Sequence, residues 1–300
     1  MAVTVYQSTD ASAPVLSGTA GALLGVLNAC LINGYGSKSA AGWASAFSAT
    51  NINVYRAATG NRFYLRVSDL TTDGRVICYE TMTDASSGTN PTPTNAQVSG
   101  GGYWRKSSTA DSTARPWIVI ADETWFWLFI DGSSGGTGVS YWPQFFGDFT
   151  AYKSGGDAYS TLLTVNTTAN NSGGAYHLAT TIGVPPGTHF IVRGADGTTL
   201  SKAACKHSDR AISGSYPGGD ANLPYPQPDG KLWLAPIYIA EDKSSVLANN
   251  RVRGEMPSVY APCCYSVGNH LDTYTASGDV SGSMLIVHCY PSCQLHFKIG

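Results

Sequence analysis

The chain has 300 residues, 43% of them hydrophobic and only 13% charged, with a formal net charge of −2. So much apolar material, including 17 Tyr and 7 Trp, excludes an intrinsically disordered chain. So few and so nearly balanced charges exclude the clustered cationic face that nucleic acid requires, and no run approaches the ~20 apolar residues of a membrane helix.

In chain order, the segment Ala2–Leu16 reads in two ways, as an arm reaching onto a neighbouring subunit or as an edge strand of its own sheet. Leu23, Leu24, Leu27 and Leu31 recur at helical spacing, predicting a short helix within Ala20–Ile32 that Gly34 stops. The pattern then turns to period two. In Arg62–Ser68, Phe63, Leu65 and Val67 share one face while Arg62, Tyr64 and Arg66 share the other, as in a half-buried strand. Asp69–Gly74 reads as a turn-bearing loop and Arg75–Thr81 as the returning strand.

Trp117–Ala121 and Thr124–Ile130, joined by Asp122–Glu123, predict a hairpin. Its second strand is apolar on both faces, with Trp125, Trp127 and Phe129 on one and Phe126, Leu128 and Ile130 on the other. Such a strand is covered on both sides, by a second layer or by another subunit. The Gly-rich stretch Gly132–Gly138 is the best internal break. It divides residues 1–131 (arm, helix and β region) from 139–300 (a second β region), unless the two form one compact unit. Further on, His189–Arg193, Leu232–Ala240, Met284–Cys289 and Leu295–Ile299 read as strands, with Pro236 marking an edge or a bend. Tyr216–Asp229 carries four prolines and reads as an extended loop. The expected class is mainly β, with antiparallel sandwich- or barrel-like sheets and one short N-terminal helix.

Charge is unevenly spread. Residues 1–50 carry only Asp10 and Lys38, and residues 154–192 only Asp157. Long neutral stretches suit surfaces that neighbours cover, and they also occur as a compositional habit of β proteins. The seven cysteines show no framework spacing, and Met-Ala-Val-Thr-Val lacks the basic-then-apolar pattern of a secretory leader. Together these predict reduced thiols in a cytosolic assembly environment.

Cys263, Cys264, His270, His288, Cys289, Cys293 and His296 cluster near the C-terminus. Zinc sites usually use short Cys-x2-Cys turns. Here Cys263 and Cys264 are adjacent, so an extended chain points them to opposite sides, and His288 and Cys289 share that arrangement. Cys289-Tyr-Pro-Ser-Cys293 predicts a tight hairpin that sets its two sulfurs across from each other, half a metal site or a disulfide. Buried thiols filling a β core account for the pattern without a metal. The sequence is compatible with Cys263, Cys264, Cys289 and Cys293 being free, bridged or metal-bound.

No nucleophile elbow, Ser-x-x-Lys or His-Glu-x-x-His occurs. Asp122–Glu123, Asp69, Asp73, Asp84 and Asp131 fall at turns and strand ends, where acidic residues belong for local reasons. Gly100–Gly102 and Gly173–Gly174 match neither phosphate-binding pattern. Tyr103-Trp104, Tyr141-Trp142 and Phe145-Phe146 flank Gly-rich loops, where aromatics stack on sugars, anchor interfaces or fill a core. Burial of Trp104 and Trp142 would count against the sugar reading. No catalytic, cofactor or metal residue is assigned.

The opening Ala2-Val-Thr-Val-Tyr-Gln-Ser-Thr-Asp10-Ala-Ser-Ala-Pro-Val-Leu16, then Ala29-Cys-Leu-Ile-Asn-Gly-Tyr-Gly36 and Ala40-Ala-Gly-Trp43, resembles a group of structural proteins of tailed bacteriophages. Phe63–Val67, Tyr79–Met82, Tyr103–Ser108, Ala114–Val119, Phe145–Asp148, Gly156–Tyr159 and Val252–Pro257 extend the likeness over most of the chain. The resemblance implies a virion component assembled in the host bacterial cytoplasm, in several symmetric copies. Its partners would be copies of itself and other virion proteins, in the tail, baseplate, neck or capsid decoration. It implies no catalytic residues, and no enzyme activity is expected; the charge balance and the lack of a long apolar run lead to the expectation of no nucleic-acid and no membrane partner. The alternative readings are a carbohydrate- or receptor-binding tail module, with a host surface glycan as partner, and a tail-associated hydrolase.

Overall fold

The computed structural model describes residues 2–96, 98–131, 141–166, 169, 188–197, 200–206, 231–242, 251–262, 268–289 and 293–300. The chain is mainly antiparallel β with one short helix, as its alternating patterns predict. Strand β1 (Thr4–Gln7) precedes helix α1 (Ala22–Leu27). Then come β2 (Ala44–Ala49), β3 (Ile52–Arg56), β4 (Tyr64–Asp69), β5 (Asp73–Tyr79), the small pair β6 (Thr81–Met82) and β7 (Gly88–Thr89), and β8 (Gly102–Arg105). The middle holds β9 (Trp117–Ala121), β10 (Trp125–Asp131), β11 (Tyr141–Asp148), β12 (Thr150–Ala151) and β13 (Thr161–Asn166). The last part holds β14 (Thr188–Arg193), β15 (Leu200–Lys206), β16 (Leu234–Asp242), β17 (Arg251–Pro262), β18 (Thr273–Ala276), β19 (Gly282–Cys289) and β20 (Cys293–Lys298).

Two runs of strands meet. One is the meander β2-β3-β4-β5-β8. The other runs β1-β9-β10-β11-β13-β14-β15-β16-β17-β20-β19-β18. They join at β13, where Asn166 pairs with Tyr103 of β8. Past Phe149, β12 continues β11 and pairs with β17 through Thr150 and Glu255, so the strands from β11 to β17 curl into a barrel. Strand β1 pairs with β9, which makes the N-terminal arm an edge strand of its own sheet.

The helical residues span the predicted stretch but change geometry partway. After α1, residues Asn28–Asn33 widen into a π-turn that ends at Gly34 (φ 75°). Neighbours take up the polar groups of this turn. The Cys30 and Leu31 carbonyls accept from the amides of Ala41 and Trp43, and Asn28 Oδ1 accepts from Asn53 Nδ2 and the Tyr55 hydroxyl, both at 2.8 Å. Strand β4 shows the predicted alternation, with Leu65 and Val67 inward. The loop after it is shorter than Asp69–Gly74, because β4 keeps Asp69 and β5 begins at Asp73.

The hairpin of β9 and β10 organises the interior. Its turn is held by Asp122, whose Oδ1 accepts from the amides of Thr124 (2.6 Å) and Trp125 (3.0 Å). Phe126, Leu128 and Ile130 face one core with Leu23, Leu27, Leu65 and Trp104. Trp125, Trp127 and Phe129 face a second core with Phe145, Ile239, Val287 and Phe297. Period-two geometry places alternate residues in two separate apolar compartments, so both faces of β10 are covered from within the chain. The glycine-rich 132–138 stretch lies outside the described residues, as do Gly173–Gly174 and the Tyr216–Asp229 loop; β10 and β11, on either side of 132–138, pair along their length. Pro236 sits at a bend, with a register shift between it and Tyr238. Within the described pairings β15 reaches only to Tyr238, so Pro236 needs no amide on that side.

Candidate functional site

The aspartates singled out from the sequence are tied into the fold. Asp69, fully buried, receives the amides of Leu23 (2.7 Å) and Leu24 (3.4 Å) on Oδ2 and the Lys106 ammonium on Oδ1. The residue preceding α1, Gly21, has no side chain to cap the helix, so a carboxylate from β4 does so across 46 residues of sequence. Desolvation pushes the Lys106 pKa down, and Asp69 opposes that shift. Asp84 closes a surface turn by accepting from the amides of Ser86 and Ser87. Asp131 is buried, and Asp73 is mostly buried beside Thr72, whose hydroxyl donates to it at 3.1 Å. Asp148 accepts from the Asn61 amide (2.6 Å) and the Thr161 hydroxyl (2.5 Å), tying the loop after β3 to the barrel, and burial raises its pKa.

Apart from half-buried Tyr103, the aromatics flanking the Gly-rich loops are interior, which counts against sugar stacking on Trp104 and Trp142. Trp104 is 1% exposed and donates from Nε1 to the Thr164 carbonyl (2.6 Å); Trp142 is 8% exposed, and Phe145 and Phe146 are fully buried. Gly100 and Gly101 adopt positive φ in the turn before β8, where a side chain on Gly101 would strike Ile77.

Of the C-terminal cysteine–histidine stretch, Cys263 and Cys264 lie outside the described residues. Cys289 and Cys293 are paired in register at the head of the β19–β20 hairpin, as the spacing predicts. Val287, Cys289, Leu295 and Phe297 turn into the second core. The alternate residues, His288, Gln294 and His296, therefore belong to the other face of the hairpin. There the ring of His270 stacks on Tyr141 (4.7 Å between centroids) and lies 5.8 Å from that of His288. His270 Nδ1 accepts from the His288 amide at 3.0 Å, so the neutral ring carries its proton on Nε2 and has no lone pair there for a metal. His288 Nε2 bonds Gln294 Nε2 (2.6 Å), and His296 Nδ1 bonds the Tyr274 hydroxyl (2.6 Å). Burial lowers the pKa of His270 and of His296 to about 4, with nearby His288 adding to both shifts. Among the described residues no group of His, Cys, Asp and Glu is arranged to hold a metal ion.

Against this face lies a groove of about 880 Å³. One wall is Lys231–Leu234, leading into β16. The other is the stretch from Asp272 through β18 to Val280, with Gly268 and Ile286 also lining it. Trp233 lines the groove while 47% exposed, one of five large apolar side chains exposed to that degree among the described residues. Strand β18 alternates exposed Thr273 and Thr275 with half-buried Tyr274 and Ala276, and the hydroxyl of Tyr274 is fixed by His296. Sequence reading passed over Trp233 because it sits in an ordinary strand pattern; the only signal was a lone Trp ahead of a Pro-bent strand.

Comparison with known proteins finds no matching family model and no similar curated protein.

Proposed function

We propose that this chain is a structural component of a tailed-phage virion, making symmetric contacts with copies of itself and with other virion proteins. The observation that carries the reading is the edge strand β2, Ala-Ser-Ala-Phe-Ser-Ala, which has no charged side chain and is exposed at Ala44, Ser45, Ser48 and Ala49. Among the described residues it pairs only with β3. Free monomers guard such edges with charge, proline or a cover, because unpaired backbone groups invite another strand. The strand itself brings no charge to this edge, and the nearest charged side chain in the pairing is Arg56 of β3, opposite Ala44. A symmetric assembly covers such a face.

Native mass spectrometry of the purified chain together with proteomics of purified particles tests this reading. The expected result is a homo-oligomer that is also present in particles, and lysines at Ala44 and Ser48 that reduce it to monomers with an unchanged thermal melt. A stable monomer that is absent from the particle would sink the proposal.

A further inference from the structure

We infer that the groove between Lys231–Leu234 and β18 binds a neutral oligosaccharide. The first support is that the half-exposed indole of Trp233 lines a groove together with a small number of polar groups, the usual composition of a small-molecule cleft. A sugar ring offers one patch of C–H groups and a rim of hydroxyls. Trp233 supplies the flat apolar platform for the first. For the second, the lining carries the hydroxyls of Thr273 and Thr275 and the carboxylates of Asp272 and Asp279. The frame is preorganised: Tyr274 is held by its 2.6 Å bond to His296, and Asp272 Oδ2 accepts from the amide (2.7 Å) and the side chain (3.1 Å) of Asn269.

Other ligand classes fit this lining poorly. Among the described residues of the lining, a polyanion meets the two carboxylates Asp272 and Asp279 against one cation, Lys231. A cation meets Lys231 at the same groove and finds Asp272 already engaged by Asn269. A wholly apolar ligand would strip water from hydroxyls and carboxylates without replacing their hydrogen bonds. The volume lies in the range of small-molecule clefts and admits more than one sugar unit. This inference stands apart from the assembly proposal and uses none of its residues.

Calorimetric titration of the full chain with maltoheptaose, cellohexaose and chitohexaose, beside an array of bacterial surface polysaccharides, tests it. Saturable binding to at least one neutral glycan is expected. Trp233→Ala should weaken that binding by about tenfold or more with an unchanged melt, and Asp279→Asn should weaken it severalfold. If Trp233→Ala does not fold, Asp279→Asn and Thr275→Val carry the test on the same terms. Binding to none of the neutral glycans, binding to anionic glycans alone, or binding undiminished in these variants overturns the inference. The oligomeric state and particle proteomics are read separately, so failure here leaves the assembly reading standing.

Discussion

The core around α1 and the C-terminal hairpin both bury polar groups, and they do so in opposite ways. Beneath α1 the buried charges are matched: Lys106 and Asp69 lie fully buried side by side, and Asp69 also receives two helix amides. On the hairpin face, His270 and His296 are kept neutral by burial, and each has an Nε2 without a hydrogen-bond partner. A paired buried charge resists pH change but fails badly when one partner is removed. A neutral buried histidine is instead sensitive to acid. One region is therefore a lock, and the other is the place where the fold responds to its solution.

The largest expected effect comes from breaking the lock. Asp69→Ala leaves Lys106 buried without its carboxylate and α1 without its cap, and should cost about 3–5 kcal/mol in urea unfolding. The double variant Asp69→Leu with Lys106→Met should recover much of that loss. A single-variant loss below about 1 kcal/mol would show that the pair is not what holds α1 in place.

Acidification gives the next effect, and it belongs to the hairpin. The folded pKa of His296 is about 4, below the ordinary 6.5, so between those values the unfolded chain binds a proton that the folded chain refuses. Stability is then full above pH 6.5 and falls as pH drops toward 4, by up to about 3 kcal/mol for His296. His270, half-buried where His296 is fully buried, adds a smaller share. Urea melts at pH 7, 5.5 and 4.5 should show a shallower decline for His296→Phe than for the parent chain. Parallel declines would remove His296 as the cause.

The smallest effect separates two tryptophans. Trp104 donates to the Thr164 carbonyl, whereas Trp127 Nε1 is buried without a partner. Trp104→Phe should therefore cost about 1 kcal/mol more than Trp127→Phe in equilibrium unfolding. Equal costs would mean that packing alone sets both.

Much of the architecture was legible from local pattern. The alternation in β4, the two-faced strand β10 and the helical leucines all follow from periods of two or 3.6 residues, which adjacent residues impose on any chain that buries its apolar side. The site was not legible in the same way. Trp104 and Trp233 are both single tryptophans near strand ends, yet one fills a core and the other lines a groove. Likewise nothing near Gly21 announces that Asp69 will cap α1, or that Lys106 will meet it.

The residues alone determined a mainly β chain, rich in apolar and neutral polar side chains, with β10 covered on both faces. Only tertiary structure decided which layers cover that strand, that the arm pairs with its own sheet, and that Trp233 and β18 flank one groove. The reason is physical. Periodicity is a property of neighbours in sequence, whereas exposure, pairing of buried charge and the walls of a groove depend on segments that meet only when the whole sheet curls.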